Sequence, residues 1–186
     1  MNGSNRPSAR PCALVTGASS GIGAALASEL ARNGYDVVLS ARSVAPMEAL
    51  AEELRGLGAA GTVIAADLAQ PGGAAGLVAE LTARGIEIEV LVNNAGLGAM
   101  GGFEKIAATR NAEMLQVNVV ALTELTKALL PAMLARRRGK IMLVASTASF
   151  LPCPNMAVYG ATKAFVRSFG EALAEELREQ IGRAHV

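Results

Sequence analysis

Thr16-Gly17-Ala18-Ser19-Ser20-Gly21-Ile22-Gly23 lies between an apolar run, residues 12–15, and an Ala- and Leu-rich segment, residues 24–30. This order is typical of a buried strand, a glycine turn and a helix. Because glycine has no Cβ, the turn can be tight and can bring backbone amides close to a phosphate at the positive end of the helix. The stretch therefore predicts a dinucleotide-binding site.

The spacing of these glycines leaves two interpretations open. The G-x-x-x-G-x-G pattern differs from the commoner G-x-G-x-x-G fingerprint, although the strand and helix context is the same. A glycine-rich turn without a ligand is the alternative. A Walker-type phosphate loop is a poor rival, because no Lys-Ser or Lys-Thr pair follows the glycines.

The composition is that of an ordinary globular enzyme. The chain has 186 residues, 52% of them hydrophobic and only 3% aromatic, which favours one domain with helices packed on a sheet. The net charge of +1 gives no electrostatic reason to expect nucleic acid or a membrane surface as a partner. We see neither a secretory signal nor an apolar run of about 18 residues, and we expect no membrane span.

The cysteines and the histidine restrict the chemistry further. Cys12 and Cys153 show neither metal-ligand spacing nor a disulfide framework, which fits a cytoplasmic protein. His185 is the only histidine and is next to the last residue, which excludes a His-based triad and a His-rich metal site. We therefore expect no metal.

Beyond the glycine turn, short apolar runs alternate with segments of helical spacing. The predicted strands are residues 12–15, 36–40, 62–66, 88–93 and 140–146, and the predicted helices after the first are residues 46–54, 72–84, 111–138 and 157–180. Parallel neighbours need a helical crossover, and continuous apolar strands indicate burial on both faces. The sequence therefore predicts an α/β fold with a three-layer, doubly wound parallel sheet.

Polar residues follow each predicted strand. In such sheets ligands bind outside the carboxyl ends of the strands, so we expect these residues to share one edge. They are Thr16-Gly17, Ser40 to Arg42, Asp67-Leu68, Asn93 to Gly96 and Ser146 to Ser149.

Tyr159 and Lys163 are four residues apart on the last predicted helix, so their side chains lie on one face. A nearby ammonium favours phenolate over phenol, and such a tyrosine can exchange protons near neutral pH. An isolated Tyr-x-x-x-Lys is more often a solvated helix face than a catalytic pair. The other motifs of this chain favour the catalytic interpretation.

Several motifs occur together in one order. They are Thr16-Gly17-x-x-x-Gly21-x-Gly23, Asp67, Asn93-Asn94-Ala95-Gly96, Asn118, Ser146 and Tyr159-x-x-x-Lys163. This set resembles the short-chain dehydrogenase/reductase family over nearly the whole chain. The resemblance implies a Rossmann sheet with five strands in the order 3-2-1-4-5, in a single NAD(P)-binding domain whose residues 1–10 are flexible.

The resemblance also implies a role for each catalytic candidate. Tyr159 would be the general acid in carbonyl reduction and the base in alcohol oxidation, and Ser146 would hydrogen-bond the substrate oxygen. Lys163 would hold the nicotinamide ribose, and Asn118 would anchor a water through which the proton is replaced. Two alternatives stay open: Ser146 could close the fifth strand, and Asn118 could bond a backbone carbonyl.

The expected dinucleotide contacts span five segments and the catalytic helix. They are Gly17, Ser19, Ser20, Gly21, Ile22, Gly23, Ser40, Arg42, Asp67, Leu68, Asn94, Ala95, Gly96, Tyr159 and Lys163. Of these, Asp67 is expected to contact the adenine by resemblance, although it could instead cap the following helix. Arg42 can pair with a 2′-phosphate and Ser40 can donate to it, whereas Asp36 is too early to reach a ribose, so we predict NADP(H) over NAD(H).

The chain ends at Val186, and its residues 182–186 resemble the entrance to a sixth strand, after which full-length members of that family continue. The resemblance places two more parallel strands, a Pro-Gly motif and a substrate lid there. It therefore implies that these two strands are missing, that the fifth strand is an exposed apolar edge and that the pocket is open. We expect a fragment of a longer enzyme, or a shortened member that binds cofactor poorly and turns over slowly.

These inferences predict an NADP(H)-dependent oxidoreductase that interconverts a carbonyl and a secondary alcohol. Residues 150–156 and 100–103 would form an apolar substrate wall, so we expect an apolar small-molecule partner. By resemblance, the two long helices would pair in a homodimer or homotetramer. The alternative is a non-catalytic protein that binds a dinucleotide or a partner through the same scaffold.

Overall fold

The computed structural model describes residues 10–180 and the backbone of residues 184–185. The strands are β1 (Cys12–Thr16), β2 (Asp36–Ala41), β3 (Gly61–Ala65), β4 (Ile88–Asn93), β5 (Lys140–Leu143) and β6 (Ala184–His185). The helices are α1 (Gly21–Arg32), α2 (Val44–Gly56), α3 (Gly73–Ala83), α4 (Ala108–Leu115), α5 (Leu122–Arg136) and α6 (Ala157–Leu177). Strands and helices alternate as the apolar pattern predicts.

The described strands form one parallel sheet in the order β3-β2-β1-β4-β5-β6. The first five strands have the predicted order, which confirms the fold class. The expectation that β5 forms the edge of the sheet is wrong for the described residues, because Ala184 and His185 pair in parallel with Ile141 and Met142. This pairing engages part of the main chain of β5 that would otherwise be exposed.

Strand side chains alternate between two apolar cores, one on each face of the sheet. Leu14 and Leu91 belong to the core that α3, α5 and α6 cover. Val15 and Leu39 belong to the core that α1 and α2 cover. Both faces are therefore buried, which explains why the strands are continuous apolar runs.

Helices α4 and α5 are joined by a π-helical turn, Gln116–Ala121, into one helix from Ala108 to Arg136. The sequence predicts the helix but not the π turn. By length and composition alone this 29-residue helix could cross a membrane. That is weak evidence for a span, since core helices of soluble proteins pass the same test, and Leu125 and Met133 are fully buried here.

Two predicted elements end earlier than expected. β5 ends at Leu143, and the chain then enters a 3-10 turn, Thr147–Ser149, in which the Ala148 amide donates to the Ser146 hydroxyl. The last helix ends at Leu177 rather than at residue 180. Arg10, in the stretch expected to be flexible, donates from Nε to the Gly34 carbonyl at 3.2 Å. Residues 1–9 and the side chain of His185 lie outside the described residues.

Candidate functional site

The glycine turn between β1 and α1 packs directly on the loop that follows β4. A Cβ atom on Gly23 would lie 2.3 Å from the Gly17 carbonyl oxygen and 2.5 Å from Asn94 Nδ2. Gly17 has a φ of +67° and would place a Cβ 2.9 Å from the Ala95 α-carbon. Gly23 must be glycine because there is no room for a Cβ atom. Gly17 must be glycine for the same reason and because its positive φ disfavours other residues.

Thr16 holds the same loop, although the sequence did not single it out as a site residue. Its Oγ1 accepts from the backbone amides of Asn94 at 3.1 Å and Ala95 at 3.0 Å, and it donates to the Val92 carbonyl at 3.3 Å. Asn94 Nδ2 in turn donates to the Thr16 carbonyl at 2.9 Å. In the sequence, the feature that indicates this role is a hydroxyl residue at the end of a buried strand.

These contacts leave a cavity of about 430 Å³ at the carboxyl ends of β1 to β4. Of the predicted cofactor residues, those that line it are Gly17, Ser19, Ser20, Ile22, Ser40, Arg42, Asp67, Leu68, Asn94, Ala95 and Gly96. The structure adds Ala41, Ser43, Ala66, Ala69, Leu97 and Val117, which the sequence did not predict. Gly21, Gly23, Tyr159 and Lys163 lie outside this lining. The cavity, with its glycine cradle, fits a dinucleotide.

The end of β2 presents a cation to this cavity. Arg42 is exposed at the wall, whereas Asp36 lies at the other end of the strand and accepts from the Ala60 amide at 2.8 Å. Ser40 is only 1% exposed, and its hydroxyl has no hydrogen-bond partner among the described residues. Ser43 is the exposed hydroxyl residue on the same wall.

Asp67 shapes the turn after β3. Its Oδ1 accepts from the Ala69 amide at 3.1 Å. The alternative that Asp67 caps the following helix is wrong, because α3 begins only at Gly73, after Gly72 in the left-handed conformation. Asp67 and its neighbour Leu68 thus form part of the cavity wall rather than of the helix.

Lys163 and Asn118 both lie beside Gly96. The Lys163 Nζ and the Asn118 Oδ1 each lie 3.5 Å from the point that a Cβ on Gly96 would occupy. Lys163 is 5% exposed and donates to the Val144 carbonyl at 2.6 Å. Burial lowers the pKa of Lys163 from its usual value of 10.5, because desolvation disfavours the ammonium.

Asn118 connects three elements through its side chain. Its Oδ1 accepts from the Leu97 amide at 2.8 Å, and its Nδ2 donates to the Leu97 carbonyl and to Thr162 Oγ1, both at 2.9 Å. Thr162 donates to the Tyr159 carbonyl at 2.7 Å. Asn118 thus bonds a backbone carbonyl, as the alternative interpretation expected, but that carbonyl belongs to Leu97, 21 residues away, and not to the same helix.

Tyr159 and Ser146 are half-buried on either side of the β5–α6 connection. The Tyr159 ring packs against Gly98, where a Cβ would lie 3.4 Å from Cδ2. Ser146 Oγ accepts from the Ala148 amide at 3.2 Å, so this contact does not use the hydroxyl proton. Ser149 is buried and donates to the Ser146 carbonyl at 2.6 Å. This difference favours Ser146 over Ser149 as the donor to a ligand.

A second cavity, of about 480 Å³, reaches Ser146 along the end of β5. It shares Ile22 with the first cavity, and Ile22 is 63% exposed between the two. Val144 and Phe150 also line it. The glycine turn and the serine thus line neighbouring cavities that share Ile22.

Two exposed apolar segments lie next to each other. Met100 and Phe103 come from the loop after β4, and Leu151 comes from the β5–α6 connection. All three are more than half exposed, at 80%, 66% and 74%. A backbone hydrogen bond of 2.8 Å from the Gly101 amide to the Asn155 carbonyl joins the segments. The predicted substrate wall is therefore made of two linked pieces.

Comparison with known proteins identifies relatives across most of the chain. The sequence profile of the family described as short chain dehydrogenase matches residues 11–182. Oxidoreductase UcpA of Escherichia coli K12 is 34% identical over 166 residues, which cover 88% of this chain and 62% of that protein. The chain thus spans less than two thirds of the length of this curated relative.

Solved structures show the same arrangement. A bulky-bulky ketone specific alcohol dehydrogenase from Comamonas testosteroni superimposes with a TM-score of 0.88 at 37% identity, over 95% of this chain and 71% of that one. A short-chain dehydrogenase from Sphingobium yanoikuyae, in complex with NADPH, superimposes with a TM-score of 0.84 at 40% identity, over 90% of this chain and 65% of that one.

Proposed function

This chain belongs to the short chain dehydrogenase family, and we propose that it interconverts a carbonyl group and a secondary alcohol with NADP(H). The observation that carries the proposal is that Lys163 and Asn118 both lie beside Gly96, which lines the cofactor cavity. Lys163 belongs to the same helix as Tyr159. Bound NADPH supplies the hydride in such a reaction. The residues of this chain bind it, orient the carbonyl and move the proton.

The glycine turn would hold the pyrophosphate. Backbone amides at the start of α1 are not used within the helix, and the helix dipole favours an anion there. Arg42 would pair with the 2′-phosphate, since the end of β2 offers no carboxylate to a ribose hydroxyl. The NADPH complex of the similar Sphingobium protein supports this choice of cofactor.

Tyr159 would give its phenolic proton to the carbonyl oxygen and take it back in the reverse direction. Ser146 would donate a hydrogen bond to the same oxygen, where negative charge develops. Lys163 would bind the ribose hydroxyls and, as a cation, favour the phenolate of Tyr159. Asn118 would anchor the water that replaces the proton, while its bonds to Leu97 and Thr162 hold it beside Lys163.

The substrate would be an apolar carbonyl compound or alcohol. Met100, Phe103 and Leu151 present exposed apolar side chains on the two segments that are joined at Gly101 and Asn155. The ketone specificity named for the similar Comamonas enzyme agrees with this class.

Exposed Leu115 and Val120 on the α4–α5 helix and Phe165 on α6 support the proposal of a homodimer or homotetramer, and we propose a cytoplasmic location.

Fluorescence titration with NADPH, next to a turnover assay on a panel of apolar ketones, tests this function. We expect binding and steady NADPH oxidation, and a loss of kcat of about 10²- to 10⁴-fold in Tyr159→Phe with unchanged NADPH affinity. Binding without turnover on any ketone would refute carbonyl reduction and favour the non-catalytic dinucleotide-binding alternative. Absence of NADPH binding would refute both.

A double variant tests the choice of cofactor separately. Ala41→Asp with Arg42→Ala places a carboxylate at the end of β2 and removes the cation, so we expect NADPH affinity to fall and NADH affinity to rise. Arg55→Ala is the control, because it removes an exposed arginine outside the cavity lining. Unchanged NADPH affinity in the double variant would contradict the role of Arg42.

A further inference from the structure

We propose that Arg110 is a positioning residue for Tyr159 and acts through the backbone of Gly98. The proposal rests on the proposed role of Tyr159 as the general acid and base. Arg110 lies in the first turn of α4, outside the lining of the cofactor cavity. None of the motifs identified in the sequence includes it.

Arg110 reaches back from α4 to the loop after β4. Its Nη2 donates to the Gly98 carbonyl at 3.0 Å, and its Nη1 donates to Glu113 Oε2 at 3.0 Å. The planar guanidinium fork makes both contacts at once through different nitrogen atoms, so the Gly98 contact does not require Glu113. The side chains of Arg110 and Glu113 are 38% and 46% exposed, and an ion pair that exposed contributes little stability by itself.

Gly98 in turn forms a surface against the ring of Tyr159. A Cβ on Gly98 would lie 3.4 Å from Cδ2 and 3.6 Å from Cε2, so its α-carbon faces one edge of the ring. The preceding residue, Leu97, is held at both its amide and its carbonyl by Asn118. The contact from Arg110 continues this anchoring to the residue that faces the ring.

Confinement of the ring matters because a general acid must keep its oxygen within hydrogen-bond reach of the substrate. The backbone of Tyr159 is held by Thr162, whereas the ring is limited on one side by Gly98. Loss of the Arg110 contact frees the Gly98 carbonyl and widens the range of ring positions. A misplacement of a fraction of an ångström can cost about tenfold in rate.

The tyrosine content of the chain gives a direct readout of this coupling. Tyr35 and Tyr159 are the only two tyrosines, and there is no tryptophan. In a Tyr35→Phe background, the tyrosine fluorescence therefore reports Tyr159 alone, without cofactor or substrate. We expect Arg110→Ala to raise the acrylamide quenching constant by about twofold, because fewer contacts hold the ring. Arg110→Lys should restore part of the difference, since its ammonium can still donate to Gly98.

Turnover in the same background supplies the second readout. We expect Arg110→Ala to lower kcat about tenfold, with little change in KM or NADPH affinity, because binding groups are untouched. Glu113→Ala is the matched control, because it removes the ion pair but leaves the Gly98 contact available. The quenching constant and kcat should therefore change less in Glu113→Ala than in Arg110→Ala.

Unchanged quenching in a folded Arg110→Ala variant would overturn the proposal, as would an equal effect of Glu113→Ala. If the Tyr35→Phe parent binds NADPH but reduces no ketone, the proposed reaction fails, and the catalytic part of this inference fails with it. The quenching comparison would still decide whether Arg110 confines the ring. The two failures are therefore distinguishable.

Discussion

Gly23→Ala is the substitution that tests the glycine cradle most directly. The added methyl group would lie 2.3 Å from the Gly17 carbonyl oxygen and 2.9 Å from its carbonyl carbon. Both atoms belong to the backbone at the end of β1, so no flexible side chain can move aside. An ordinary contact begins at 3.4 Å, so α1 and the turn must separate by about 1.1 Å.

The expected cost follows from two opposing terms. Overpacking of this kind destabilises a protein by about 1–3 kcal/mol. Alanine also stabilises a helix interior relative to glycine by about 1 kcal/mol. Gly76→Ala is the matched control, because Gly76 is also helical and a Cβ there meets nothing within 4 Å. The helix-propensity gain is common to both variants, so their difference isolates the clash at about 1–3 kcal/mol.

Urea unfolding followed by circular dichroism measures that difference, and fluorescence titration measures NADPH affinity. Because the shift displaces Asn94 Nδ2 as well as the amides of the turn, we expect Gly23→Ala to weaken NADPH binding by about 10²-fold. Gly76→Ala should bind NADPH as the wild type does. If Gly23→Ala equals Gly76→Ala in stability and in NADPH affinity, the reasoning from close approach is refuted.

Three further predictions concern buried polar groups. Asn93→Ala removes a buried 2.9 Å hydrogen bond to Thr126 and should cost about 1–2 kcal/mol in urea unfolding without changing NADPH affinity; a tenfold loss of affinity at unchanged stability would contradict this structural role. Burial, with the nearby Asp36 carboxylate, raises the pKa of Cys12 to about 11, so at pH 8 a thiol reagent followed by mass spectrometry should label Cys153 well before Cys12; the reverse order would contradict that burial. Since the folded pKa of Lys163 lies below 10.5, the unfolded chain binds more protons between the two values, and the free energy of unfolding should rise with pH there relative to Lys163→Met; parallel pH profiles would show that the lysine is not desolvated.

The sequence was sufficient for the fold because several local signals agree. The glycine turn, the continuous apolar strands and the helical spacings each predict the same layers, and the order of the first five strands is confirmed. Most predicted cofactor residues also line one cavity, since parallel strands bring their carboxyl ends to one edge. Their roles in catalysis stay predictions until the variants are measured.

What the sequence could not predict depends on contacts between distant residues. The position of Thr16 at the end of a buried strand placed it at the same sheet edge as Asn94, but it did not indicate the bonds to amides 78 and 79 residues away. Ser40 was expected to donate to a phosphate, yet its hydroxyl is covered, because burial depends on how the helices close over the strand end. The pairing of Ala184 and His185 with β5 could be expected only from the family resemblance, since a two-residue strand carries no periodicity.

The π turn between α4 and α5 has a consequence for how this segment can vary in length. A π turn spaces its hydrogen bonds one residue wider than an α turn, so Gln116–Ala121 accommodates one extra residue within an otherwise regular helix. Deletion of that extra residue would let an unbroken α-helix form and would leave α4 and α5 in the same relative orientation. Deletion of one residue between Arg110 and the π turn would instead rotate Arg110 by about 100° about the helix axis, away from the loop that it holds. We therefore expect the site to tolerate a change of length within the π turn but not between Arg110 and that turn.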